Sequence, residues 1–171
     1  MIAAAHVAAG AVAGLLAARV TRRASVALVL SFAVGVASHV AMDAIPHSDY
    51  GSLSRGAALG VALGEVVVMV FVISSMMRGR VTPPDASCMT AGAVGAMLPD
   101  VKSAAMLFPG QLGAPIVEFW ERFHALHAAP HDAETLGLVL EVTVTVLLLF
   151  WLARLRPRAS RVEASSVRRT G

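Results

Sequence analysis

The residues of this chain that can do chemistry are mainly histidines and carboxylates, and several occur as close pairs. His39 and Asp43 are four positions apart, so on a helix they share one face. At this spacing, imidazole and carboxylate can both bind one divalent cation, or one can bind it while the other supports the ligand. The ordinary alternative is a His–Asp hydrogen bond that joins helices at a helix end.

A second pair, His47 and Asp49, follows Pro46, which ends the helix and makes a tight turn. These two residues can bind the same ion or support the first pair, and a solvated turn is the alternative. Near the C-terminal end of this pattern, His124 and His127 share a face of a short amphipathic segment and also suit one metal ion. The alternative there is an interfacial helix whose histidines meet lipid headgroups.

A third candidate is Asp100, which comes directly after Pro99 within an apolar stretch. Proline opens a helix, and in a membrane an opened helix is tolerated mainly beside a cavity in the protein. The alternative is a simple kink, with Asp100 paired to Lys102 or Arg122. His6 is a weak candidate by itself, and His131 and Asp132 are further ones.

Composition places these residues in a membrane protein. Of the 171 residues, 57% are hydrophobic and only 15% are charged, against about 25% charged in an average soluble domain. The mean hydropathy is +0.72. So few charges cannot cover so much apolar surface in water, which excludes a disordered chain, a soluble disulfide scaffold and an ordinary cytosolic enzyme.

Apolar stretches long enough to form helices predict the architecture. A hydrocarbon core of about 30 Å needs roughly 20 helical residues. Five apolar stretches have this length or nearly this length: 2–18, 24–42, 57–77, 88–107 and 135–155. We therefore predict an all-α, polytopic transmembrane bundle of about five helices, one broken at Pro99, with a short interfacial helix. It forms a single domain over 1–155, followed by a basic, disordered cytoplasmic tail over 156–171.

The basic residues predict the orientation. Of the 14 lysines and arginines, 11 follow the first, third or fifth stretch, and such residues favour the cytoplasmic side. This predicts a protein of the bacterial inner membrane with its N-terminus outside and its C-terminus inside. Every histidine and nearly every acid then lies toward the outer face. Asp85 and Glu163 are the exceptions.

Charges within a membrane are costly unless they are paired or bound to a cation, so this gathering predicts a metal site. The ligand types are imidazole and carboxylate without thiolate, which suits Zn, Mn or Fe, and the number of carboxylates allows two ions. Glu65 and Glu141 are candidate general bases within the outer half of the bundle. The predicted metal ligands are His6, His39, Asp43, His47, Asp49, Asp100, His124 and His127.

The order of these motifs resembles a known family. It runs from an early His6 through Ser38-His39-Val-Ala-Met-Asp43 and Leu98-Pro99-Asp100 to Phe123-His124-Ala-Leu-His127. This is similar, through short motifs only, to the bacterial membrane-bound metal-dependent hydrolases of the LexA-regulated inner-membrane protein type. Those proteins have an N-terminal His, an LPDxDH motif and an HxxxD element. Here Val101-Lys102-Ser103 stands where the family has its second Asp and its His.

The resemblance implies a metal-linked membrane fold and a hydrolase activity. The membrane depth of the site predicts a lipid-like or phosphoester substrate. The expected partner is the bilayer, and no nucleic acid is expected. The alternative is a non-catalytic membrane protein whose polar cluster is structural or only binds metal. A metal-ion carrier fits less well, because the inner half of the predicted bundle has almost no polar residues.

Overall fold

The structure, a computed structural model, describes residues 3–21, 23–45, 54–100, 114–125 and 134–154. Within these ranges the chain is helical, as predicted from the sequence. Six α-helices and one 3₁₀ turn follow in the order α1 (Ala3–Val20), α2 (Ala24–Asp43), α3 (Arg55–Met77), α4 (Pro83–Met97), the turn (Leu98–Asp100), α5 (Ala114–Ala125) and α6 (Glu134–Arg154).

Four of the described helices, α1, α2, α3 and α6, are long and apolar enough to cross a membrane. The fourth predicted stretch differs in its bounds, because α4 starts at Pro83 and stops at Met97. Thr82 caps its start by accepting a hydrogen bond from the amide of Asp85, and two prolines occupy the first turn, where their missing amides cost nothing. The predicted break at Pro99 is confirmed: the α-helix ends two residues before this proline, which lies in the 3₁₀ turn.

Helix α1 lies at the centre of the bundle and is mostly buried. Helices α2 and α4 pack on one side of it, and α3 and α6 pack on the other. Large apolar side chains on α3 and α6, such as Val67, Phe71 and Leu147, point outward and are exposed. A surface of this kind suits lipid as the surrounding solvent.

Glycines bring α1, α2 and α4 into backbone contact. A Cβ atom built on Gly92 would lie 2.1 Å from the carbonyl oxygen of Gly10, and one built on Gly35 would lie 2.1 Å from that of Gly92. Only a residue without a side chain allows helices to approach so closely in this way. The hydroxyl of Ser31 adds a buried hydrogen bond to the carbonyl of Gly14.

These contacts define the directions of the helices. Gly14 of α1 lies opposite Cys88 of α4, whereas Gly10 lies opposite Ala96, so these two helices are antiparallel. Helix α2 is likewise antiparallel to α1. The bundle therefore has two distinct ends. Among the described residues, the arginine end carries five exposed arginines, namely Arg19, Arg23, Arg78, Arg80 and Arg154. The histidine end contains the start of α1 and the ends of α2 and α4.

Candidate metal centre

Three candidate ligands meet inside the histidine end. His6 comes from the start of α1, and His39 and Asp43 come from the last turns of α2. The two carboxylate oxygens of Asp43 face one imidazole each: Oδ1 lies 3.2 Å from Nε2 of His6, and Oδ2 lies 3.0 Å from Nε2 of His39. All three residues are buried, with 2% exposure or less.

The two imidazole rings are held together by the packing of α1 against α2. Their centroids are 4.2 Å apart and their planes are inclined by only 20°. The antiparallel helices bring position 6 beside position 39, and Asp43 lies one turn further along α2. One potential ligand atom from each residue lies within 4.8 Å of the other two. This is an arrangement that can hold a metal ion.

A backbone carbonyl determines which nitrogen of His39 faces the cluster. Nδ1 of His39 lies 2.8 Å from the carbonyl oxygen of Ala96. Since a carbonyl can only accept a hydrogen bond, Nδ1 must carry the proton and donate it. Nε2 is then the nitrogen directed toward Asp43. Histidines that bind metals commonly use the same arrangement, with one nitrogen anchored by a donated hydrogen bond and the other free to coordinate.

The end of α4 supplies this carbonyl. The last four carbonyls of an α-helix lack an amide partner within the helix, and Ala96 is in the last turn of α4. The amide of Leu98 bonds to the carbonyls of Val94 and Gly95, which leaves Ala96 to accept from His39. The motif around Pro99 therefore contributes to the cluster by ending the helix at the level of the imidazole.

His6 has a buried atom without a partner. No hydrogen-bond partner lies near its Nδ1 atom among the described residues, although the residue is only 1% exposed. A buried polar atom left unsatisfied costs about 1–3 kcal/mol. His6 therefore lacks the hydrogen bond at Nδ1 that His39 has, while its Nε2 atom faces Asp43.

The cluster needs positive charge. A carboxylate buried at this depth must be paired, because an isolated buried charge is very costly. Either a proton on an imidazole or a bound cation can supply the charge. For a tetrahedral ion with ligands at 2.0–2.1 Å, neighbouring ligand atoms lie about 3.3 Å apart. The contacts of 3.0 and 3.2 Å at Asp43 are near this spacing.

Asp100 lies beside the cluster, on the other side of the His39 ring. Its Oδ2 atom is 4.0 Å from Nδ1 of His39, and its side chain is 37% exposed. The nitrogen that faces Asp100 is the one that donates to Ala96, so Asp100 is a charged neighbour of the ring and is not one of the three converging groups. The structure thus brings Asp100 near His39 but not into the cluster itself.

The two candidate general bases lie on different helices. Glu65 is on α3 and contacts the start of α1, where its Oε2 atom accepts a hydrogen bond of 3.4 Å from the amide of Ala4. A carboxylate at a helix N-terminus is stabilised there by the helix dipole. Glu141 is buried on α6 with 3% exposure, one turn before Val144. That valine packs against a small cluster formed by Ala5, Ala9 and Met42.

The structure describes the side chains of four of the eight predicted metal ligands, namely His6, His39, Asp43 and Asp100. His47, Asp49 and His127 lie outside the described residues, as do His131 and Asp132. His124 falls within α5, but its side chain is not among those described. Sequence reasoning missed the carbonyl of Ala96 as an anchor for His39. The position of Pro99, a residue that ends helices, was the only signal for it.

Comparisons with known proteins add nothing to this geometry: no family model, no curated protein and no solved structure matches the chain. The resemblance to membrane-bound metal-dependent hydrolases stays a prediction from short motifs.

Proposed function

We propose that this protein binds a divalent metal ion in its transmembrane bundle through His6, His39 and Asp43. The observation that carries the proposal is the convergence of the two imidazoles on one buried carboxylate, at 3.2 and 3.0 Å. The anchored Nδ1 of His39 supports it, because that hydrogen bond directs Nε2 toward the cluster.

The ligand set favours certain metals. Two imidazole nitrogens and one carboxylate, without thiolate, suit Zn, Mn or Fe. The one cysteine, Cys88, is buried in the half of α4 toward the arginine end, opposite Gly14. Three protein ligands leave at least one coordination position for water or substrate, as in catalytic zinc sites.

The direct test is the metal content of the purified protein. After purification in detergent, the wild-type protein should carry about one equivalent of metal, as measured by inductively coupled plasma mass spectrometry. His39→Ala and Asp43→Asn should each remove it, because two ligands hold an ion far more weakly than three. Asp85→Asn is the matched control: Asp85 is another buried acid, with 5% exposure, in the first turn of α4.

The outcomes separate binding from a structural ion pair. A wild-type protein that neither carries metal nor takes it up from added Zn²⁺, Mn²⁺ or Fe²⁺ would contradict metal binding. Unaltered metal content in the His39→Ala, Asp43→Asn double variant would contradict this site. In either case the cluster would be a buried imidazolium–carboxylate pair that joins α1 to α2.

A metal-dependent hydrolase is the second candidate, and the three-residue ligand set favours it, because three protein ligands would leave a position for water. A metal held by His6, His39 and Asp43 would supply an acidic water and a Lewis acid for hydrolysis near neutral pH. With the predicted orientation, the cluster lies near the outer face of the inner membrane. A lipid-like or amphipathic phosphoester is then the substrate class that reaches it.

Hydrolysis is tested separately from binding. Metal-loaded protein in mixed micelles is incubated with phosphoesters that carry acyl chains and with water-soluble phosphoesters. We expect turnover of the first group, lost in Asp43→Asn and retained in Asp85→Asn. Metal at full occupancy without turnover of any ester would contradict the hydrolase and favour a non-catalytic metal-binding protein.

A further inference from the structure

Glu65 lies in the middle of one apolar helix and is bonded to the start of another. It belongs to the stretch Gly56–Ser74 of α3, which is long and apolar enough to span a membrane. Its Oε2 atom accepts a hydrogen bond from the amide of Ala4, in the first turn of α1. Ionisable residues within a membrane span are costly and usually mark a functional position. Ala4 is two residues before His6, so this contact joins α3 to the part of α1 that carries a proposed metal ligand.

The start of α1 lies at the level of the middle of α3. The two helices run in the same direction, because Glu65 lies beside Ala4 and both helices reach the arginine end. Residues 55–64 of α3 therefore extend past the first turn of α1, by about 15 Å along the helix axis. In agreement, a Cβ built on Gly60 would meet no atom within 4 Å. The first turn of α1 thus lies within the apolar span and not at its edge.

The amides of this first turn need acceptors at that depth. The first four amides of an α-helix have no partner within the helix, and an unsatisfied amide is costly where no water reaches it. Helices α3 and α4 each begin after a residue whose own hydroxyl accepts from the first turn, namely Ser54 and Thr82. The residues before α1 are Met1 and Ile2, whose side chains contain no oxygen, and its first turn contains no acidic residue. Glu65 supplies an acceptor from a different helix.

The side chain of His6 lies over the turn that Glu65 contacts. The Cα–Cβ bonds of an α-helix tilt toward its N-terminus, so a side chain covers the turn that precedes it. The imidazole of His6 is therefore near the level of Ala4, and its Nε2 atom lies 3.2 Å from Oδ1 of Asp43. Unwinding of the first turn would displace the backbone at His6 and move Nε2 away from Asp43.

We propose that Glu65 is a positioning residue of the metal centre, which holds the first turn of α1 and so keeps His6 against Asp43. This inference rests on the proposed metal binding by His6, His39 and Asp43. It gives Glu65 a role different from that of the general base expected from the sequence. A base accepts a proton without altering the affinity for the metal, whereas loss of a positioning residue lowers that affinity.

The experiment is a zinc titration of the full-length protein in detergent against a competing chelator. Glu65→Leu removes the acceptor and should lower zinc affinity about tenfold, as expected for a residue that orients a ligand. Glu65→Gln retains an oxygen that can accept from Ala4. Its affinity should stay within about threefold of wild type, because only the attraction of the charge to the helix dipole is lost.

Ser54→Ala is the matched control. It removes a bond of the same kind and the same length, 3.4 Å, between Ser54 and the amide of Ala57 at the start of α3. This variant tests whether loss of any helix cap weakens the site. It should leave zinc affinity unaltered, because neither α1 nor α2 carries the lost bond.

The bond can also be removed from its donor side. Ala4→Pro lacks the amide, and proline is tolerated in the first turn of a helix, as Pro84 shows in α4. This variant should lower zinc affinity as much as Glu65→Leu. The double variant should be no weaker than either single variant, since all three lack the same bond.

Hydrogen exchange adds a measurement that does not depend on metal. In metal-free protein, the amides of the first turn of α1 should exchange faster in Glu65→Leu than in the wild type. Their exchange should be unaltered in Ser54→Ala. Thermal unfolding verifies that each variant is folded, and Ala4→Pro decides the titration if Glu65→Leu is not.

The outcomes separate this inference from the proposed function. Wild-type zinc affinity in folded Glu65→Leu, or equal losses in Glu65→Leu and Ser54→Ala, would overturn the positioning role. Wild-type exchange in Glu65→Leu would overturn it as well. A wild-type protein that takes up no metal would instead contradict the proposed function, and the exchange data would then decide by themselves whether Glu65 holds the first turn of α1.

Discussion

Nδ1 of His39 lies 2.8 Å from the carbonyl oxygen of Ala96 and donates a hydrogen bond to it, although the two residues are on different helices. This bond connects the end of α4 to the cluster formed by α1 and α2. It sets the protonation of the ring, so that Nε2 faces Asp43. The end of α4 near Pro99 therefore helps to orient His39 in the metal centre. A substitution that lets α4 continue should change the metal affinity of the protein.

Replacing Pro99 with alanine should weaken metal binding. An alanine at this position supplies an amide that can bond to the carbonyl of Gly95, so α4 can continue and draw the carbonyl of Ala96 into its own hydrogen bonding. Loss of a residue that orients a ligand typically costs 10–100-fold in affinity. We expect about a tenfold loss, measured by zinc titration against a competing chelator.

The control for this variant is Pro84→Ala. Pro84 is exposed in the first turn of α4, at the arginine end. Its replacement should leave zinc affinity unaltered. Equal affinities for Pro99→Ala and the wild type would show that the helix stop does not orient His39.

Asp100→Asn should have a smaller effect than Asp43→Asn. Oδ2 of Asp100 is 4.0 Å from Nδ1 of His39, and the side chain is 37% exposed. Partly solvated charges at such distances contribute about 0–1 kcal/mol, so zinc affinity should fall by less than about fivefold. Asp43→Asn should abolish binding in the same titration. If Asp100→Asn also abolished it, Asp100 would be a ligand and the three-residue site would be wrong.

Gly92→Ala should destabilise the bundle. The added Cβ would lie 2.1 Å from the backbone oxygen of Gly10, so α1 and α4 must move apart. Overpacking of this kind typically costs about 1–3 kcal/mol. Metal content should fall too, because His6 is on α1 and the anchor for His39 is on α4. Thermal unfolding followed by circular dichroism in detergent measures the stability.

Gly60→Ala serves as the comparison, since no atom lies within 4 Å of a Cβ built there. Alanine is the better helix former, so this variant should be at least as stable as the wild type. If both glycine variants unfold at the wild-type temperature, the close contact at Gly92 is not what holds α1 and α4 together.

The orientation predicted from the basic residues can be mapped with fusions to a reporter enzyme that is active only outside the cytoplasm. Fusions after Arg23 and Arg80 should be inactive, because arginine-rich ends stay in the cytoplasm. Fusions after Tyr50 and Asp132 should be active. The reverse pattern would place the metal centre on the cytoplasmic side and would remove the outer-face substrate from the proposal.

Much of the fold follows from the sequence. Uniformly apolar stretches of about 20 residues predict the long helices, since a helix satisfies its own backbone polar groups in lipid. Pro99 predicts the end of α4, and the spacing of His39 and Asp43 predicts that they share a face. These features are local, so they depend on short-range geometry that a single stretch of chain determines.

The tertiary structure decided which distant groups meet. The predicted topology put His6 and His39 at the same end of the bundle. Helices that are apolar on all sides have no amphipathic pattern to show which face turns inward, so the sequence could not show that the two imidazoles face each other across α1 and α2. It also could not assign the carbonyl of Ala96 as the partner of Nδ1. Both depend on the close backbone approach at Gly10, Gly35 and Gly92. That approach is a property of complementary surfaces on three helices, and no single helix determines it.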